Sequence, residues 1–189
     1  LPVLRNLVVR DDFDTLSEEN RALAWSWTGY CEILADRLET GEPMLRRSAA
    51  LTGTPPLTWL LLFDIAGWRG DDEDAVRSLE MLAERHPALT GLLDQARFMD
   101  VYARVRFSSP ELHGRMLDAL DRIEFEPADP LWDPDPLWID VARRRLTQGR
   151  TLESIRALGR LKTGWGLQAA MIDERLAPLL PAARGGNLD

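Results

Sequence analysis

The chain has 189 residues, 45% of them apolar and 29% charged, with a formal net charge of −8. That length suits one domain, and that composition argues against a disordered chain. The acidic balance opposes general binding to nucleic-acid phosphates, and no apolar run approaches the roughly 20 residues that cross a bilayer.

Helix signals dominate from the N-terminus onward. Thr15-Leu16-Ser17-Glu18 has capping-box spacing ahead of a long helical pattern, "NRALAWSWTGYCEILADRL". The run Leu57 to Trp68 is ambiguous between buried strand and buried helix, but its leucine richness and length favour helix. Ser109-Pro110-Glu111 places a cap before a first-turn proline, with Leu112, Met116, Ala119, Leu120 and Ile123 at helical spacing. Thr151 opens another helix, with Ile155, Leu158 and Leu161 along one side. Breaks fall at Gly41-Glu42-Pro43, Gly53 to Pro56, Gly70, Pro87, Ser108 to Pro110, Pro127 to Pro136, Gly149 and Thr163-Gly164. Such punctuation predicts short antiparallel helices joined by tight turns. "EPADPLWDPDPLW" reads as a rigid connector, and residues 182–189 as a flexible tail.

Trp59, Gly70, Ala75, Leu79 and Leu82 follow one another at successive gaps of 11, 5, 4 and 3, and so do Trp138, Gly149, Ser154, Leu158 and Leu161. Both sets read as a helix opening on tryptophan, a glycine turn, and a second helix with a small residue at the crossing. Between the two tryptophans there is space for one further unit. Phe98, Val101, Tyr102 and Val105 with Met116, Leu120 and Ile123 fill it, and Tyr30, Leu34, Gly41 and Leu45 form a weaker first unit.

On these residues the chain resembles the tetratricopeptide repeat family, most closely over Pro56 to Pro87, where "GDDEDAVRSLEMLAERHP" matches the second half of a repeat. Phe63 stands where that family has a small residue. With their longer linkers the units exceed the family's usual repeat of about 34 residues. The resemblance implies an all-α fold, a right-handed superhelix of stacked antiparallel helix pairs. One domain over residues 1–181 would hold units at 16–53, 56–89, 93–127 and 135–162 and a capping helix at 164–180.

The acids Asp71 to Asp74 invite a metal or catalytic reading, but consecutive helix-start residues point in different directions. Asp71 or Asp72 is expected to cap exposed amides while the other acids favour the positive end of the helix dipole. Cys31 is the only cysteine, which excludes an internal disulfide and a thiolate metal cage. His86 and His113 stand near helix ends without metal-site spacing, and no phosphate-cradling glycine motif occurs. No enzyme and no cofactor is expected. Among seven tryptophans, Trp59 and Trp138 are expected in the core and Trp68 and Trp132 on the surface, with Trp25, Trp27 and Trp165 open.

The resemblance also implies a concave face lined by the first helix of each pair. Carried over, that face is Leu60, Leu61, Asp64 and Trp68, then Met99, Asp100, Ala103 and Arg106, then Ile139, Asp140 and Arg143. The weaker first unit would add Cys31 and Glu32. The expected partner is a protein or peptide with apolar and basic character, or a second copy of the chain. The alternative is an all-α small-molecule sensor with an aromatic-lined pocket.

Overall fold

A computed structural model describes residues 6, 8–10, 12–87, 95–122 and 135–185. Among the described residues there are ten α-helices and no strand. Ile123, residues 126–134 of the Pro-Leu-Trp connector with Trp132, and the tail from residue 186 lie outside them; Asp135 to Trp138, expected in that connector, are the first turn of a helix. The chain divides into two compact units, Leu1–Glu124 and Phe125–Asp189.

The first unit contains α1 (Glu18–Leu34), α2 (Leu38–Ala49), α3 (Pro56–Arg69), α4 (Asp72–Arg85), α5 (Gln95–Ser108) and α6 (Pro110–Arg122). The run Leu57 to Trp68 is helical, as its leucines predict. Helix α1 packs along α2, and α3 along α4; α3 also meets α2 and α5, while α6 lies chiefly along α4. The second unit contains α7 (Asp135–Thr147), α8 (Thr151–Leu158), α9 (Gly164–Met171) and α10 (Leu180–Arg184). There α7 packs on α8 and α9, and α8 on α10. The stretch expected as one capping helix is thus two helices with a turn between, and residues 182–184 continue the second.

Three hairpin turns share one backbone pattern. Gly70 N–H donates to Gly67 O and Asp71 N–H to Ala66 O, at 3.2 and 2.9 Å; Gly149 donates to Leu146 and Arg150 to Arg145, at 3.0 and 2.9 Å. Asp36 donates to Ile33 and Arg37 to Glu32, both at 2.9 Å. This is the paired helix-ending motif that needs a left-handed residue, and φ is +75° at Gly70, +76° at Gly149 and +59° at Asp36. The third turn corrects the weaker first unit. Gly41-Glu42-Pro43 is not a break: all three residues lie within α2, and the chain reverses at Asp36, an αL position that aspartate tolerates.

With that register Asp36 and Gly70 mark the same point of successive hairpins. Trp25, Trp59 and Trp138 then share a position, as do Gly29, Phe63 and Ala142, and Leu45, Leu79 and Leu158. Gly41, Ala75 and Ser154 share the crossing position, and each donates its N–H across the first turn at 3.0 Å. Leu45, Leu79 and Leu158 are buried beside them. Every tryptophan of the set lies under a guanidinium from its own hairpin: Arg47 over Trp25 at 4.8 Å, Arg85 over Trp59 at 5.4 Å, Arg160 over Trp138 at 4.5 Å. Trp59 and Trp138 are buried, as expected of core residues, and Trp25 is half-buried.

Polar groups also join the elements. Ser26, Ser48 and Thr58 form a buried hydroxyl chain between α1, α2 and α3, with contacts of 2.9 and 3.1 Å, and Ser48 Oγ donates to Ala22 O at 2.7 Å. Hydroxyls inside a core are stable only when paired, and these are. In the second unit the buried Asp135 carboxylate accepts from the N–H groups of Lys162 and Thr163 at 2.9 and 2.8 Å, fixing the start of α9. Only glycine fits at Gly166, where a Cβ would stand 2.2 Å from Asp135 Oδ2.

The N-terminal cap of α1 also differs from expectation. Ser17, not Thr15, caps the helix, accepting from Asn20 N–H at 3.3 Å. Thr15 belongs to a short 3-10 turn and donates its hydroxyl to Asp12 O. Glu18 turns away to accept from the Thr52 N–H at 3.1 Å, so it closes no capping box.

Candidate partner-binding face

The acid run Asp71 to Asp74 opens α4. Asp71 caps α4, accepting from Asp74 N–H at 3.1 Å. The other three acids each meet an arginine from a different helix. Asp72 pairs with Arg104 of α5 at 2.7 Å, Glu73 with Arg115 of α6 at 2.8 Å, and Asp74 with Arg46 of α2 at 2.7 Å. Arg115 also binds Glu80 through two parallel contacts of 2.8 and 2.6 Å. The run therefore caps a helix and ties it to its neighbours. Among the described residues no three His, Cys, Asp or Glu side chains converge as a metal site would require.

The Arg115 hydrogen bonds hold the Glu80 carboxyl below its ordinary value of 4.5, against the opposing effect of partial burial. A carboxylate whose folded pKa is depressed stabilises the fold above the unfolded value and loses that contribution as pH falls through the folded one. Wild type should therefore lose more stability than Glu80→Gln between pH 6 and pH 3. Thermal melts across that range check it, and parallel curves would contradict it.

Leu60, Leu61, Asp64 and Trp68 lie on α3, and Met99, Asp100, Ala103 and Arg106 on α5, so packing of α3 on α5 brings these two sets onto neighbouring helices. Ile139, Asp140 and Arg143 lie on α7, in the other unit. Leu60, Ile139 and Asp140 are buried; Leu61, Asp64, Met99 and Arg106 are half-buried; Trp68, Asp100, Ala103 and Arg143 are exposed. Arg106 lies over the rings of Tyr102 and Phe107, at 5.8 and 5.6 Å.

Several charges of the expected face are engaged internally. Arg143 contacts Asp140 at 3.3 Å and donates to Asp173 at 2.6 Å. Burial works to raise the Asp173 carboxyl, but this bond and the N–H groups of Arg175 and Leu176 hold it below the usual aspartate value. Asp100 pairs with Arg104. On α1, Glu32 is buried against Arg37 Nε at 2.6 Å and Thr40 Oγ1 at 3.3 Å, and Cys31 is half-buried.

The side chains that do face solvent are largely ones the sequence register passes over. Leu34 is 67% exposed and Trp68 66%, at equivalent positions of the first two hairpins. Aligning the buried quartet Phe98, Val101, Tyr102, Val105 with Trp59, Leu62, Phe63, Ala66 puts Phe107, 84% exposed, at the same position of α5. Along α1 the exposed Leu23 and Trp27 and the half-buried Tyr30 precede Leu34 at helical spacing, with Trp27 and Tyr30 edge to face at 5.8 Å. One apolar position is thus left uncovered on the first helix of each hairpin in this unit.

No family model, no curated protein and no solved structure matches the chain. Among the described residues no helix is long and apolar enough to cross a membrane.

Proposed function

We propose that the chain is a non-enzymatic scaffold of the tetratricopeptide-like kind, binding a protein or peptide segment along the first-helix face of its first unit. The observation that carries this is the recurrence of Leu34, Trp68 and Phe107 at one hairpin position, each about two-thirds exposed or more. Core packing gives no reason to repeat a large apolar residue at an uncovered site. A partner that reads successive hairpins does, because aromatic and aliphatic anchors carry most binding energy at interfaces.

The spacing of the first two hairpins supports the same reading, since Asp36 and Gly70 stand one usual tetratricopeptide length apart. So does the small-residue crossing at Gly41, Ala75 and Ser154. The stacking of these units into one right-handed superhelix belongs to this proposal as well. The partner's expected chemistry is apolar anchors with basic flanks, following the chain's charge of −8.

Selection from a random-peptide display library tests it. Retained sequences should carry two or more large apolar residues and net positive charge. The variant Leu34→Ser/Trp68→Ser/Phe107→Ser should fold normally and bind them at least about thirtyfold more weakly, as loss of an interface anchor implies. Tighter binding of acidic peptides, or equal binding by the variant, would refute it.

A further inference from the structure

A cavity of about 430 Å³ lies where the start of α1 meets the end of α2, and it shares no lining residue with the partner face. Phe13 and Trp25 line it edge to face, with centroids 5.4 Å apart, and Val8 and Leu51 also line it. Its charged lining is three guanidiniums, Arg10, Arg21 and Arg47, against one carboxylate, Asp14. That is an excess of cations in a chain whose overall charge is −8.

The three arginines are not equally engaged. Arg10 is held by Asp12 through two contacts of 2.8 and 2.6 Å. Arg21 approaches Asp14 at 3.6 Å, beyond hydrogen-bond range, and its charge also acts on Glu18, but its buried Nε has no hydrogen-bond partner among the described residues. Arg47 lies over the Trp25 ring at 4.8 Å, and among the described residues no carboxylate or carbonyl accepts from it. A guanidinium laid on an aromatic surface keeps a planar fork of donors free for one oxyanion. Arg47 is exposed, so water can reach its donors, whereas leaving the buried Arg21 Nε unpaired is costly. The two features complement each other: an apolar wall for a hydrocarbon body, and two under-used cations for its charge.

We propose that this cavity binds an organic carboxylate with a compact aromatic or aliphatic body, the carboxylate on Arg21 and Arg47 and the body against Phe13 and Trp25. Its volume is in the range of roughly 300 to 1,000 Å³ that small-molecule sites occupy. The same chemistry is offered by a free organic acid and by the terminal carboxylate of a peptide ending in an aromatic residue. Either source would add a second site, independent of the apolar ladder on the first helices.

The test titrates the full chain with 3-phenylpropionate, with its neutral amide, with inorganic phosphate, and with a tetrapeptide ending in phenylalanine as free acid or amide. The readouts are the Trp25 indole N–H and the Arg21 and Arg47 Nε–H resonances. The acid should move all three and bind about tenfold or more tighter than the amide and than phosphate. Arg21→Gln and Arg47→Gln should each remove most of that preference without changing the amide or the circular dichroism spectrum. Preference for the free acid over the peptide points to a small metabolite, and the reverse to a protein terminus; both support the site. Equal binding of acid and amide, phosphate binding as well as the acid, or no shift of Trp25 at millimolar acid overturns it. Trp25→Leu, which removes one of the two rings of the wall and keeps both cations, should weaken the acid as well; an unchanged affinity would overturn the assignment of the body.

Discussion

Replacing Phe98 by alanine should lower the stability of the first unit by about 3–5 kcal/mol, a large part of the roughly 5–15 kcal/mol typical of a folded domain. Phe98 is wholly buried on α5, and its ring stacks between Phe63 of α3 and Tyr102, both at 6.3 Å. It is one of the side chains through which the second and third hairpins meet. Truncation removes its transfer free energy and leaves a void walled by two other rings, which cannot close in without moving α5. Phe98→Leu should recover much of the loss. Phe107→Ala, further along the same helix and 84% exposed, should change stability by less than about 0.5 kcal/mol. Urea unfolding of the three variants checks the contrast, and equal losses for Phe98→Ala and Phe107→Ala would mean that α5 does not pack as described.

The second large effect is Gly41→Ala, with a sign that helix propensity alone gets wrong. Inside a helix, alanine is preferred to glycine by about 1 kcal/mol. At Gly41 a Cβ would stand 2.8 Å from Gly29 O and 2.8 Å from Ile33 Cγ1. The carbonyl is main chain of α1 and cannot rotate away, so α1 and α2 must part along their contact. Overpacking of this kind costs about 1–3 kcal/mol beyond what the propensity returns. Gly29→Ala meets the same constraint from the other side, at 2.9 Å from Gly41 O. Gly164→Ala is the control: nothing lies within 4 Å of its Cβ, so propensity acts alone and stability should rise slightly. Differential melts of the three variants decide it, and a stabilised Gly41→Ala would contradict the close crossing.

How much of this could be read from the sequence depends on how local each feature is. Asp71 as a cap was legible because capping needs only its own turn, whereas its neighbours' partners are distant in the chain, at Arg46, Arg104 and Arg115. Local rules name no such pairs. The matched turns at Gly70 and Gly149 were legible because both use glycine for the left-handed position. The first turn carries Asp36 in that position, so a glycine pattern misses it and lands on Gly41 and Pro43, which sit inside α2.

The candidate face is displaced for the same reason. The mistaken register pointed to Cys31 and Glu32 on α1, and Glu32 is buried in an ion pair. The tryptophans carry the missing signal, since the step from Trp25 to Trp59 is the repeat itself and leads directly from Leu34 to Trp68. Asp140 and Arg143 illustrate a different limit. Their residue types suit a binding face, and their own contact is a local one three residues apart, but only the fold brings Asp173 to Arg143 as a second partner.

The most direct measurement is chemical-shift mapping of the isotope-labelled chain as a display-selected peptide is added. The account expects the largest changes at Trp27, Leu34, Leu61, Trp68 and Phe107, on the first helices of three hairpins, with α2, α4 and α6 little affected. Changes centred on those second helices, or on no contiguous set of residues, would contradict it.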